Sequence, residues 1–209
     1  MSRTVAIFTT LFLLAVGCGA PDGDQAAEVA QDAPGTQGDE PRAQDAFWET
    51  LQGLCESAHE GALLRAPAGD TQVDPEARLV VHFWECGDEE IRFPFHIGDD
   101  RSRTWVFIRH PDGLELRHDH RNPDGTEEEN TWYGAFTLDE GWPHLQEFVN
   151  ERNGVRVGWR VEVHPDYRYI YGTIRDGEWR HHLEFDLTRE VEIPPLPWGH
   201  EVRPSARPE

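Results

Sequence analysis

Apolar and polar residues alternate along several runs of this chain. In Ile91–Ile97 and in Val155–Val163 every second residue is apolar, and polar or charged residues fill most of the positions between them. Because successive side chains of a β-strand point to opposite faces of a sheet, this pattern predicts strands with one face toward a core. Turn sequences such as Pro111-Asp112-Gly113 and Asp176-Gly177 separate the runs and predict β-hairpins. The chain as a whole predicts roughly eight or nine strands.

Apolar residues recur at helical spacing in two places. The first predicts an amphipathic helix ahead of the strands, with a stripe formed by Phe47, Leu51, Leu54, Cys55 and Ala58. The second is Asp139–Gly154, where Pro143 stands near the start and Gly154 at the stop. This second segment predicts a short helix inserted between two strands.

These elements predict a mainly β fold. Strands joined by short turns form an antiparallel meander, and strands that do not alternate with helices exclude a parallel doubly wound sheet. A long meander avoids open edges best by closing into a barrel. The order of elements resembles the calycin architecture, an up-and-down barrel with a helix beside it. A β-sandwich is the alternative.

Residues 1–18 have the pattern of an export signal. A positive charge precedes an apolar stretch, Val5–Val16, which is too short for a membrane span. Ala15-Val16-Gly17-Cys18 resembles the lipobox of bacterial lipoproteins, which implies that Cys18 is lipidated and anchors the mature protein. By the same resemblance, Gly19 implies the outer membrane of a Gram-negative cell, with the protein facing the periplasm or the cell surface. An ordinary secretory signal with a chance cysteine is the alternative.

Composition divides the remainder of the chain into three segments. Residues 19–44 are rich in Gly, Ala, Pro, Asp, Glu and Gln and hold almost no large apolar residue, so they predict a disordered acidic tether. Residues 45–200 carry the strand and helix patterns and form the predicted barrel domain. Residues 201–209 are predicted to be a disordered tail.

Two further cysteines, Cys55 and Cys86, lie in the predicted domain. In an exported protein such a pair favours a disulfide, which would connect the first helix to an early strand. A free thiol nucleophile is the alternative.

The chain is strongly acidic, with a net charge of −21 from 40 acidic and 19 basic residues, and every basic residue is arginine. A sequence without lysine has no residue for Schiff-base chemistry. A nucleic-acid binder needs a basic surface to neutralise phosphates, so the composition argues against one. The predicted partners are a membrane, through the lipid anchor, and a small-molecule ligand.

Histidines supply the candidate chemistry. His118 and His120 share a strand face with Leu114 and Leu116, and His181 occupies the apolar face of a late strand. Histidines at positions i and i+2 of a strand project from the same face. With a third ligand they could hold zinc or iron.

Glu85 is a candidate carboxylate for the same ligand or metal site, because it continues an apolar strand face. Histidines that are hydrogen-bonded to an aspartate or to a backbone carbonyl inside the core are the alternative to a metal site.

Four charged residues lie close together shortly after the alternating run Ile91–Ile97: Asp99, Asp100, Arg101 and Arg103. They predict a turn held by local ion pairs, which contribute little stability when exposed. An anion-binding or catalytic role is the alternative.

The stretch PFHIGDDRSRTW, followed by LRHDHR and a DG turn, is similar to an uncharacterised family of bacterial secreted proteins. The resemblance covers Phe47–His200 and implies no particular reaction. The sequence holds no G-x-S-x-G, P-loop or H-E-x-x-H motif. We therefore expect a lipid-anchored envelope protein that binds a small molecule or an ion in a β-barrel and is not an enzyme. A metal-dependent enzyme that uses His118 and His120, and a structural module that binds another protein, are the alternatives.

Overall fold

A computed structural model describes residues 41–200. The predicted signal peptide, the lipidation site Cys18, most of the tether and the tail at 201–209 lie outside the described residues. Within the described part no helix is long and apolar enough to cross a membrane. One helix and twelve strands follow one another: α1 (Ala43–Gln52), β1 (Ser57–Arg65), β2 (Leu79–Phe83), β3 (Glu85–Cys86), β4 (Glu90–Ile97), β5 (Asp100–His110), β6 (Gly113–His120), β7 (Tyr133–Phe136), β8 (Leu145–Arg152), β9 (Val155–His164), β10 (Arg168–Arg175), β11 (Glu178–Trp179) and β12 (His182–Glu190).

Ten of these strands form one antiparallel sheet in the order β7-β6-β5-β4-β2-β1-β12-β10-β9-β8, while the short strands β3 and β11 pair with β4 and β10. The outermost strands, β7 and β8, approach each other. A bridge joins Thr137 to Phe148, and Asn150 Nδ2 donates to the carbonyl of Gly134 at 3.4 Å. The sheet therefore nearly closes into a barrel, which confirms the predicted mainly β, antiparallel, barrel-like fold rather than the sandwich.

The prediction of an inserted helix in Asp139–Gly154 is wrong. Residues 145–152 form β8, which pairs with β9 from Leu145 opposite Glu162 to Arg152 opposite Val155. The buried inward position of Gln146 interrupts the apolar alternation, so the remaining apolar residues fall at helical spacing. Asn153 and Gly154 both have positive φ, 54° and 74°, as a two-residue hairpin turn requires.

Helix α1 closes one end of the barrel. Its Phe47, Trp48 and Leu51 are fully buried in the core that fills the barrel. Gln44 Nε2 donates to Thr137 Oγ1 at 3.0 Å, beside the connection between β7 and β8. At the same end, Arg42 donates to a carbonyl of the turn between β5 and β6 at 2.9 Å.

The helix is shorter than its predicted apolar stripe, and it begins at Ala43, two residues before the predicted start of the domain at residue 45. It ends at Gln52, and Ala58 already lies in β1. Glu56 has a φ of 68°, a left-handed conformation that a helix cannot include. The predicted disulfide between Cys55 and Cys86 is present, with 6.3 Å between the Cα atoms, and it connects the segment after α1 to β3.

The proline-rich segment 191–200 lies on the outside of the sheet. The backbone N–H of Trp198 donates to the carbonyl of Arg101 at 3.2 Å, and Arg101 Nη1 donates to the carbonyl of Leu196 at 3.0 Å. His200 Nε2 donates to the carboxylate of Asp119 at 3.2 Å. This segment therefore covers polar side chains of the outer face that would otherwise be exposed to water.

Candidate functional site

A cavity of about 260 Å³ lies at the end of the barrel opposite α1. It is lined by the end of β6 that is remote from the β5–β6 turn, by the start of β12 and by neighbouring parts of β4, β5, β7, β9 and β10. Three connections also contribute, one before β2, one before β7 and one before β12. The lining residues are Gln72, Val73, Phe95, Arg103, Trp105, His118, His120, Asn130, Tyr133, Trp159, Tyr171, Thr173, His181 and Leu183.

All three histidines predicted from the sequence line this cavity, although His181 comes from a distant part of the chain. Glu85 is not one of the lining residues. The strand is interrupted at Trp84, between β2 and β3, so the alternation shifts by one residue. Glu85 pairs instead with Arg92, 3.8 Å from its Nε.

His118 is held on both ring nitrogens. Its Nδ1 lies 3.2 Å from the carbonyl of Tyr133. A carbonyl only accepts, so Nδ1 carries the proton and Nε2 accepts from the hydroxyl of Tyr171 at 2.5 Å. The ring also stacks on that of Tyr133, with centroids 4.8 Å apart and planes 7° apart. These contacts fix one neutral tautomer of His118.

The protonation of His118 follows from its surroundings. Burial lowers the pKa of His118 to about 3, although the hydrogen bond to the Tyr133 carbonyl acts in the opposite direction. Burial likewise raises the pKa of Tyr171 well above its ordinary value. Both groups are therefore neutral at physiological pH, and the pair joins through a neutral hydrogen bond.

Replacing His118 with asparagine is expected to make the protein less sensitive to acid. The folded pKa lies below the ordinary value of 6.5, so stability is complete above that pH and falls as the pH is lowered toward the folded pKa. At about 1.4 kcal/mol per pH unit, His118 accounts for roughly 2–3 kcal/mol of the loss between pH 7 and pH 4.5. Urea unfolding at the two pH values measures the difference.

The control for this prediction is the exposed residue His144. A His144→Asn variant should lose as much stability on acidification as the parent does. An equal loss in the parent and in His118→Asn would contradict the assigned neutral state of His118.

His120 lies two residues after His118 in β6, on the same face of the strand. Its Nε2 and the hydroxyl of Tyr133 form a hydrogen bond of 3.0 Å, and its Nδ1 lies 3.6 Å from a carboxylate oxygen of Glu128. Burial, and then the positive charge of Arg103, lower the pKa of His120 despite that carboxylate. Tyr133 thus contacts both histidines of the predicted pair.

His181 connects the cavity wall to the segment that covers it. Its Nδ1 and Thr173 Oγ1 form a hydrogen bond of 2.7 Å. Its Nε2 lies 3.1 Å from the carboxylate of Asp70, and Asp70 belongs to the connection between β1 and β2. Val73 of the same connection is buried in the core and lines the cavity. The connection therefore folds over this end of the barrel.

Aromatic rings form much of the remaining wall, and none of them is among the site residues predicted from the sequence. Trp105 stacks on Tyr171 with centroids 3.9 Å apart and on Phe95 at 5.0 Å. Trp159 packs against His118 at 4.6 Å. One signal in the sequence could have found part of this set, because the hairpin turn between β5 and β6 places Trp105 directly opposite His118.

The metal prediction is not supported by the positions of its residues, and it stays a prediction. Within residues 41–200, no three His, Cys, Asp or Glu side chains are grouped as a metal ion requires. The lone pair of His118 Nε2 accepts from Tyr171, so a metal at this nitrogen would have to displace the hydroxyl.

Comparison with known proteins adds no relative. No protein-family model, no curated protein and no solved structure matches the chain. The similarities to bacterial lipoproteins and to a family of secreted proteins therefore stay predictions.

Proposed function

We propose that this protein is a lipid-anchored envelope protein that binds a compact small molecule in the cavity opposite α1. The observation that carries the proposal is the composition of the cavity walls. Five aromatic rings share the lining with polar side chains, which include Asn130 and the hydroxyl of Thr173. Small-molecule sites typically combine apolar walls with a small number of well-placed polar groups.

The size of the cavity limits the ligand. A cavity of roughly 150 Å³ holds benzene, and this one has about 260 Å³. One or two fused rings with a small substituent therefore fit. β-Barrels with a similar number of strands hold one small ligand in this position.

Binding accounts for the polar groups better than catalysis does. A general base needs a pKa near the working pH and a free lone pair directed at the substrate. The pKa of His118 is far below that range, and its lone pair accepts from Tyr171. Such a group forms part of the cavity wall, but it does not remove a proton at neutral pH.

The disulfide supports the envelope location in this proposal. Disulfides persist in oxidising compartments such as the periplasm, and Cys55 is bonded to Cys86. The lipobox-like sequence that ends at Cys18 provides the anchor. A full-length Cys18→Ala variant should accordingly leave the membrane fraction of a Gram-negative host, where the parent should remain.

Native mass spectrometry of the mature chain tests ligand binding. The protein would be expressed with its own signal, extracted in mild detergent and mixed with 2-naphthoate, 2-naphthamide and 2-naphthylmethylamine in turn. We expect a 1:1 complex with at least one of these two-ring compounds. Absence of a complex with all three, for a protein that unfolds cooperatively, would contradict the proposal.

A further inference from the structure

We propose that Arg103 makes this cavity selective for a planar aromatic carboxylate, an inference that rests on the proposed function. Arg103 is the one arginine among the lining residues, and these residues include no aspartate or glutamate. The chain as a whole carries a net charge of −21. A cavity with a guanidinium and no carboxylate in its lining thus differs in sign from the rest of the protein.

The guanidinium of Arg103 is oriented from one side. Its Nη1 donates to the carboxylate of Asp100 and, at 3.3 Å, to Ser102 Oγ. Asp100 is itself fixed, because it accepts from the Ser102 N–H at 2.9 Å. Among the described residues, Nη1 makes all of the hydrogen bonds of this guanidinium. Nε–H and Nη2–H remain for a ligand, and together they form the fork that binds a carboxylate through two parallel hydrogen bonds.

The position of Arg103 in the sheet places it beside the polar wall. In the pairing of β5 with β6, Arg103 lies opposite His120, and Trp105 lies opposite His118. The positive charge of Arg103 lowers the pKa of His120, after the larger effect of burial. The same charge favours a lower pKa of Tyr133, but burial has the larger effect and raises this pKa. The guanidinium therefore acts on the same groups that would surround a bound ring.

Nearby carboxylates leave this positive charge accessible. Asp70 lies behind His181, 3.1 Å from its Nε2, and Glu128 lies behind His120, 3.6 Å from its Nδ1. Asp100 occupies the Nη1 side of Arg103. None of the three lines the cavity, so none would contact a bound anion directly.

The aromatic walls define the other half of the ligand. Trp105 and Tyr171 stack nearly parallel, with an interplanar angle of 24°, and Tyr133 stacks on His118. A planar ligand can pack against the edges and remaining faces of such rings through edge-to-face or offset contacts. A flat one- or two-ring body with a single carboxylate satisfies both the walls and the fork of Arg103.

Isothermal titration calorimetry of the mature protein tests this inference with three ligands of matched shape. 2-Naphthoate is anionic, 2-naphthamide is its neutral counterpart, and 2-naphthylmethylamine is cationic. We expect 2-naphthoate to bind roughly tenfold or more tightly than 2-naphthamide, because hydrogen bonds to a charged group are stronger than neutral ones. The amine should bind most weakly.

An Arg103→Met variant should reduce the affinity for 2-naphthoate to that for 2-naphthamide and leave the amide unchanged. The matched control is Arg109→Met, on the same strand but at the α1 end, where Arg109 Nη2 donates to Asp45 at 2.7 Å. This control should keep the preference for the carboxylate. The comparison of ligands on the parent protein remains decisive if Arg103→Met does not fold.

The outcomes separate the two proposals. Equal or tighter binding of the amide or the amine by the parent protein would overturn the role of Arg103 and leave small-molecule binding intact. Failure of all three ligands to bind would overturn the proposed function as well. A preference for the carboxylate that persists in Arg103→Met would assign recognition of the anion to another group and would equally overturn the inference.

Discussion

A Leu183→Trp variant is expected to lose the binding of two-ring ligands by roughly 100-fold or more, which corresponds to about 3 kcal/mol. Leu183 is 3 % exposed and lines the cavity from the start of β12. A tryptophan at this position would fill much of the space that the ligand needs. Calorimetry with 2-naphthoate measures the affinity, and thermal unfolding measures the cost of overpacking, typically about 1–3 kcal/mol.

Leu187 provides the matched control. It lies on the same strand and the same inward face, packs in the core and does not line the cavity. A Leu187→Trp variant should show a similar cost in stability and should still bind the ligand. Equal affinities in the two variants would mean that the ligand binds elsewhere.

An Asp119→Ala variant is expected to lose about 3 kcal/mol of unfolding free energy, roughly 1.5 kcal/mol for each of two hydrogen bonds to a buried charged group. Asp119 is 1 % exposed. Its carboxylate accepts from Arg121 Nε at 2.7 Å and from His200 Nε2 at 3.2 Å, and Arg92 Nη1 lies 3.8 Å away. Burial raises the pKa of Asp119, but the hydrogen bonds from His200 and Arg121 outweigh it, so the pKa is below the ordinary value.

Urea unfolding followed by tryptophan emission measures this loss. The control is Asp88→Ala, at an exposed position, where a surface substitution should change the free energy by less than about 0.5 kcal/mol. A similar small change in Asp119→Ala would show that the network around this carboxylate does not stabilise the fold. The His-Asp-His sequence of β6 thus divides into two inward histidines for the site and one outward aspartate for the outer network.

The strands could be predicted from the sequence because their signals are local. Alternation over Val155–Val163 identifies β9, and the period of two places His118 and His120 on one face without any knowledge of the tertiary structure. The partnership of these histidines with His181 required only that all three face the same interior. A barrel interior is shared by every strand, so the three histidines line one cavity despite their large sequence separation.

Other features depended on contacts that a local pattern does not contain. Gln146 points inward because it donates to the carbonyls of Glu140 and Trp142, each at 3.0 Å, so an inward polar residue hid the alternation of β8. The break at Trp84 turned Glu85 outward. The covering of the cavity by Val73 results from the path of a long connection, which no periodicity specifies.

Arg103 illustrates a prediction that was incomplete. The local ion pair with Asp100 was expected, and it is present. Arg103 lines the cavity beside His120 because β5 and β6 pair in the register set by their turn. Extending the hairpin register from Pro111-Asp112-Gly113 would have placed Arg103 beside His120, so the information was in the sequence but required pairing two strands.

NMR of the tryptophan indole N–H groups during titration with 2-naphthoate tests whether a ligand binds inside the barrel opposite α1. Trp105 and Trp159 line the cavity, whereas Trp48 is buried on α1 at the other end of the barrel and Trp142 is 60 % exposed. We predict shifts of the Trp105 and Trp159 signals, with those of Trp48 and Trp142 unchanged. Shifts confined to Trp142, or no shift at saturating ligand, would contradict a binding site in this cavity.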